Sequence, residues 1–171
     1  TAGISDTKTL DVQCGYEAAL NNLLVSLAGA DFIHDAAGLM EFAMTVSKEK
    51  LVLDDEILGA CQRAVRGIHV DDATLAVDVI RKAGPAGNFV AARHTRKHMR
   101  REHYMPRISD RDKRQSWEAG GRKTAAERAH ERVQAILSSP AQPCIAAAQA
   151  RALLDRFESI VAEPYEEMLS S

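Results

Sequence analysis

The chain has 171 residues, 46% of them apolar, enough for one domain with a sizeable core. Its net charge of −2 excludes the strong basic bias of a general nucleic-acid or membrane-surface binder. Cys14, Cys61 and Cys144 are odd in number and far apart, which argues against a disulfide framework or zinc ribbon and fits a reducing cytoplasm. No apolar run approaches the roughly 18 residues of a membrane span. The first residues, Thr1 to Asp6, include no initiator Met and lack the basic start and apolar stretch of a signal peptide, so an upstream portion is expected.

In chain order, residues 11–28 read as an amphipathic helix. Asp11 is its N-cap, Tyr16, Leu20, Leu23, Leu24 and Leu27 form its inward stripe, and Gly29 is its stop. The short apolar run Ala30 to His34 reads as a buried strand ending in a loop, the βα step of a parallel α/β fold. Residues 39–53 show no single period. The acidic triplet Asp54-Asp55-Glu56 predicts a helix start, favourable against the helix dipole, with Ile57, Leu58, Cys61 and Val65 inward and Gly67 as stop. Asp71-Asp72 opens another helix, with Leu75, Val79 and Ile80 on one side, ending at Gly84-Pro85. Residues 86–92 form a loop or short strand.

From Arg93 to Arg114 the chain turns basic, with only Glu102, Asp110 and Asp112 opposing nine Lys and Arg side chains. Thr124-x-x-Glu127 is a capping box that opens a helix to about Leu137, with Ala126, Ala129, Val133, Ile136 and Leu137 inward. A last helix spans roughly 144–162, with Leu153, Leu154, Phe157, Ile160 and Val161 inward. The expected fold class is α/β, in a fragment that is itself predominantly α-helical with a few short strands. That proportion suits the tail of a barrel followed by C-terminal helices.

Several stretches together resemble the trimethylamine:corrinoid methyltransferase family. They are Ser5-Asp6-Thr7-Lys8, Asp11 through Glu17, Leu27-Ala28-Gly29-Ala30, Ile33-His34 and Gly38-Leu39-Met40-Glu41. The pattern continues through Glu49 to Glu56, Arg66-Gly67-Ile68, His94 to His98 and Trp117-Glu118. The resemblance implies the final third of a (β/α)8 TIM barrel. Residues 1–92 would be its last βα units, and residues 93–171 a basic segment and helices packed on the barrel. It points to the bacterial branch without pyrrolysine. It also implies methyl transfer from a methylated tertiary or quaternary amine to a corrinoid (cobalamin-type) cofactor carried by a partner protein. Two departures are Cys14, where a small residue is expected, and Phe42-Ala43, where glycines are expected. Both bear on the pocket.

Barrel enzymes place functional groups at the C-terminal ends of strands. A quaternary ammonium has no N–H, so aromatic faces and carboxylates must hold it. Asp6, Gln13, His34 and Glu41 are therefore the candidate catalytic residues, and Lys8, Tyr16 and Glu17 the candidate substrate-binding residues. A plainer role for Asp11 is the cap alone, and for Asp6 and Lys8 a surface ion pair. His94 and His98 share a helix face, but Arg96 and Lys97 crowd it with positive charge, so a solvated basic helix is expected there and no bound metal. Contact of the basic stretch with the corrinoid protein, or with the phosphate of its cofactor, is a further reading. Neither nucleic acid nor membrane is expected as a partner. The exposed strand edges of an incomplete barrel favour a homo-oligomer and leave the fragment alone inactive. The competing reading is a small helical binding module, in which Asp54–Lys82 forms a helix-turn-helix-like pair and the basic segment contacts nucleic acid.

Overall fold

The computed structural model describes residues 1–140 and 145–157. Among them are eight helices and two short strands: α1 (Val12–Leu27), β1 (Leu39–Met40), β2 (Thr45–Val46), α2 (Lys48–Val65), α3 (Asp72–Leu75), α4 (Val77–Ala83), α5 (Arg93–Glu102), α6 (Arg114–Ala119), α7 (Ala125–Leu137) and α8 (Ala147–Arg156). The chain divides into two compact units, Thr1–Gln134 and Ala135–Ser171. The predominantly helical character expected from the sequence is found. No helix among the described residues is long and apolar enough to cross a membrane.

The centre of the first unit is a helix between two extended segments. Gly3 N–H donates to Asp35 O at 2.9 Å, Ser5 N–H to Leu39 O at 3.1 Å, and Glu41 N–H to Thr7 O at 3.2 Å. Residue numbers rise together along both partners, so residues 3–7 and 35–41 run parallel, with α1 connecting them. Parallel neighbours require such a crossover. The second segment then turns into a hairpin, in which Leu39 pairs with Val46 and Met40 with Thr45, antiparallel. The chain enters α2 directly, and α1 and α2 pack against each other.

Local caps form where the sequence placed them. Asp11 accepts from Gln13 N–H at 2.9 Å and from Cys14 N–H at 3.4 Å. The Thr124–Glu127 box closes in both directions, at 2.7 Å and 3.3 Å. Asp71 caps α3 through Thr74 N–H at 2.7 Å.

Several expected elements differ. The run Ala30 to His34 is not a strand but an exposed loop, and Phe32 is 83% exposed. With Gly29 at φ 87° ending α1, the chain must cross the surface before it can turn back alongside residues 3–7. The α1 stripe of Tyr16, Leu20, Leu24 and Leu27 faces outward, Leu23 is half-buried, and the buried face is Cys14, Ala18 and Asn22. Apolar residues lie on more than one face of α1, and packing against the extended segments and α2 selects the face with the smaller side chains.

The second helix starts at Lys48, capped by Ser47, and not at Asp54. Asp54 and Glu56 are buried mid-helix. Cys61 is buried as expected, Ile57 and Leu58 are half-buried, and Val65 is exposed. The helix after Asp71 breaks at Ala76, whose φ is 54°, into α3 and α4, and Leu75 and Ile80 are exposed. An 18-residue α2 followed by pieces of 4 and 7 residues is not a helix-turn-helix pair. Residues 86–92 form a loop, one of the two forms expected, and α6 is an element beyond those expected. In α7, Ala129 and Val133 are buried, Ala126 is half-buried, and Ile136 and Leu137 are exposed. In α8, Leu154 is half-buried while Leu153 and Phe157 are exposed. Cys144, Ile160 and Val161 lie outside the described residues.

Candidate functional site

The site forms where the first extended segment ends and α1 begins. Asp11 caps the helix through its first amides, which sets the rotation of the first turns. That rotation points Glu17 back at the end of the extended segment. Its Oε2 accepts from Ser5 Oγ at 2.5 Å and from Asp6 N–H at 3.0 Å. Its Oε1 accepts from Gln13 Nε2 at 2.7 Å, one turn earlier on the same helix face. The Ser5 hydroxyl, then Gln13, then the Asp6 amide hold the Glu17 carboxyl below the usual carboxylate range, although burial opposes them. Glu17 is thus a fixed anion with most of its acceptor capacity already used.

Asp6 is exposed, and its carboxylate has no hydrogen bond or ion pair among the described residues. The surface pair with Lys8 does not form. Lys8 Nζ donates instead to the Asp6 carbonyl at 2.9 Å and lies 4.9 Å over the Phe42 ring. Tyr16 is half exposed on α1. Glu41 arrives at the same end because its backbone N–H donates to Thr7 O, and its Oε2 accepts from Thr45 Oγ1 at 2.9 Å.

Glu41, Phe42 and Ala43 have φ values of 52°, 55° and 66°, three successive residues with side chains in the left-handed region. Each such residue is disfavoured by about 1–2 kcal/mol. Strain of this kind collects at functional sites. The positions where glycine was expected from the family pattern, 42 and 43, are therefore ones whose backbone favours glycine.

Asp6, Lys8, Gln13, Glu17 and Glu41 come together at this end. His34 does not join them. It is exposed, paired with its neighbour Asp35 at 2.8 Å, and lies beside the Gly3 end of the first segment. Four residues of extended chain separate that level from Thr7, about 13 Å.

The sequence reading missed four buried polar residues. Lys50 and Asp54 are 0% and 1% exposed. Lys50 Nζ donates to Asp54 and, at 2.8 Å, to Gly3 O, while Gly38 N–H donates to Asp54 Oδ2 at 2.8 Å. This pair ties both extended segments to α2. Burial pushes the Asp54 carboxyl up, against the pull of Lys50. Asn22 Nδ2 donates to Ala18 O and Ala36 O at 2.9 and 3.1 Å, and its Oδ1 has no partner. Glu56 anchors the loop at 107–109, accepting from the Arg107, Ile108 and Ser109 amides at 2.5, 2.6 and 2.8 Å. The i,i+4 spacing of Lys50 and Asp54 was the one available signal for the first pair.

Among the described residues no three His, Cys, Asp or Glu side chains are grouped to hold a metal ion. His94 and His98 stack with ring centroids 4.3 Å apart, and His94 Nε2 lies 2.7 Å from Ala73 O.

Residues 1–161 match the trimethylamine methyltransferase (MTTB) family. The chain belongs to this family. It is 38% identical over 143 residues to the glycine betaine methyltransferase of Desulfitobacterium hafniense (strain Y51), covering 84% of this chain and 30% of that protein. It is 39% identical over 137 residues to the trimethylamine methyltransferase MttB of D. hafniense (strain DSM 10664 / DCB-2), covering 80% and 27%. With the MttB of Methanosarcina barkeri it shares 40% over 135 residues, covering 79% and 27%. The chain thus spans about 30% of the length of these relatives, in their C-terminal part.

Proposed function

We propose that this chain supplies the last βα units of a cytoplasmic TIM-barrel methyltransferase, which moves a methyl group from a methylated tertiary or quaternary amine to a corrinoid carried by a partner protein. The observation that supports this reading best is the parallel arrangement of residues 3–7 and 35–41 around α1, with Asp6, Lys8, Gln13, Glu17 and Glu41 gathered at the C-terminal ends. Active sites of (β/α)8 barrels lie at that end. Family membership and the names of the relatives point to the same reaction class.

The reduced corrinoid is the methyl acceptor in this reading, and the chain's own residues hold and aim the donor. Asp6, whose carboxylate has no partner among the described residues, attracts the ammonium cation. Glu17, locked by Ser5 and Gln13, fixes the negative field behind it, and Tyr16 and Phe42 offer aromatic faces. The amine nitrogen leaves uncharged, so the positive charge on it fades in the transition state. Tight ground-state attraction would oppose reaction unless it serves to align the methyl group. Asp6 and Glu41 therefore orient substrate, and Gln13 positions Glu17. Lys8, held among the described residues by a carbonyl and the Phe42 ring, pairs with a substrate carboxylate. That favours a zwitterion of the glycine betaine type over trimethylamine.

The test is steady-state kinetics with both amines and the corrinoid protein, using the full-length polypeptide. Asp6→Asn, Gln13→Ala and Glu41→Gln each lower kcat/KM about ten- to a hundredfold, the loss of one charge-assisted contact, without an equal loss of thermal stability. His34→Ala leaves the rate within about twofold, since one exposed neighbour pair is all it loses. Lys8→Met lowers kcat/KM for glycine betaine and spares trimethylamine. Wild-type rates in all of the Asp6, Gln13 and Glu41 variants overturn the site assignment.

A further inference from the structure

A second recess lies away from these residues, where the C-terminal ends of α2 and α5 meet. Its volume is about 480 Å³, and Arg63, Arg66, Arg100, Arg101, Tyr104 and Met105 line it. The guanidinium of Arg63 is engaged through all three of its nitrogens. It donates to Glu102 Oε2 at 2.9 Å, Glu102 O at 2.7 Å and Gly67 O at 2.8 Å. Arg66 donates through Nη2 to Arg101 O and keeps its other donors. The Arg101 Nε lies 3.8 Å from Glu102 Oε1, and Arg100 has no partner among the described residues.

Glu102 pairs with Arg63, and the charges of Glu56 and Asp55 also reach Tyr104. The two helix ends contribute about half a negative charge each. The wall itself presents four guanidinium groups and, among the described residues, no carboxylate. One wall is aromatic. Tyr104 packs so closely on α2 that a side chain at Gly59 would meet its ring at 2.5 Å, and 37% of Tyr104 remains exposed. Fork-shaped donors lining one concave wall match the oxygens of a phosphoryl group. A planar or apolar body attached to that group would lie on the Tyr104 ring.

We propose that this recess binds the phosphoryl group of a small phosphate ester, held by Arg66, Arg100 and Arg101, with the rest of the molecule against Tyr104. The site is independent of the methyl-transfer reading and needs no turnover to be detected.

Calorimetric titration of the full-length protein with inorganic phosphate, pyrophosphate and adenosine monophosphate tests it. The expected result is saturable binding that weakens as salt is raised, tightest for the nucleotide. Arg100→Gln/Arg101→Gln lowers affinity for all three by about ten- to a hundredfold, the loss of charge-assisted contacts, with an unchanged melting temperature. Arg93→Gln/Arg96→Gln, on the same helix outside the recess, changes nothing. Tyr104→Leu weakens the nucleotide and leaves phosphate unaffected, whereas equal weakening of both removes the aromatic wall from the proposal. Absence of saturable binding, equal loss in the Arg93/Arg96 control, or tighter binding of an oligonucleotide than of the monophosphate each overturns the site.

Discussion

Removing the Glu56 carboxylate tests how the first unit is held together. Glu56 is 8% exposed and accepts from three backbone amides and the Ser109 hydroxyl. In Glu56→Ala these donors lose their acceptor, and the Ile108 amide lies in a residue only 6% exposed. One stranded buried donor costs about 1–3 kcal/mol, and with several donors released at once the loss is about 3–5 kcal/mol in all. In a chain of this size, each kcal/mol moves the melting temperature by about 2–4 °C. Glu56→Ala therefore lowers Tm by roughly 6–20 °C. Asp55→Ala, one residue earlier and exposed, changes stability by less than about 0.5 kcal/mol.

The effect has a pH signature. Burial by itself would raise the Glu56 carboxyl, but the amides of Ile108, Arg107 and Ser109 and the Ser109 hydroxyl outweigh it and leave the group below its usual range. A depressed carboxyl contributes stability that is present above its unfolded value of about 4.3 and is lost as pH falls through the lower folded value. The stability gap between wild type and Glu56→Ala is therefore full near neutral pH and narrows in acid below that value. Urea titrations across pH, with hydrogen exchange at the Ile108 amide, measure both effects. A loss under about 1 kcal/mol, or a gap that stays constant into acid, would refute the anchoring role.

Lys50→Met strands Asp54 in the core and costs about 3–5 kcal/mol, while Lys50→Met/Asp54→Leu recovers much of it; a thermal-melt double-mutant cycle showing no coupling rejects the pair. Ala43→Gly relieves a left-handed backbone at φ 66° and raises stability by about 0.5–1 kcal/mol, read as a higher urea midpoint; a lower midpoint shows that the turn is not strained. Gly59→Ala drives a Cβ into the Tyr104 ring and costs about 1–3 kcal/mol, an effect that Tyr104→Leu in the same chain largely removes.

Much of the local structure was legible because it depends on neighbours in sequence. The Asp11 cap, the Asp71 cap and the Thr124–Glu127 box involve residues two or three apart, and all three form. The family was legible as well, since its pattern is spread along the chain in order. In the candidate site, Asp6, Gln13, Glu17 and Glu41 were named from the sequence. Their convergence needed the structure, because Glu41 reaches the others only once residues 35–41 lie beside residues 3–7.

What tertiary structure alone decided was which polar groups are buried and which apolar ones are not. Asp54-Asp55-Glu56 has the composition of a helix start, and its role changes because Lys50 and the amides of 107–109 reach two of the three carboxylates. The second set of partners lies about fifty residues away in sequence, beyond any local pattern. The α1 helix carries two apolar stripes, a larger one with Tyr16, Leu20, Leu23 and Leu27 and a smaller one with Cys14 and Ala18, so periodicity alone favoured the larger. Packing against the two extended segments and α2 chose Cys14, Ala18 and Asn22, because small side chains let the backbones approach closely. The larger stripe was left facing outward.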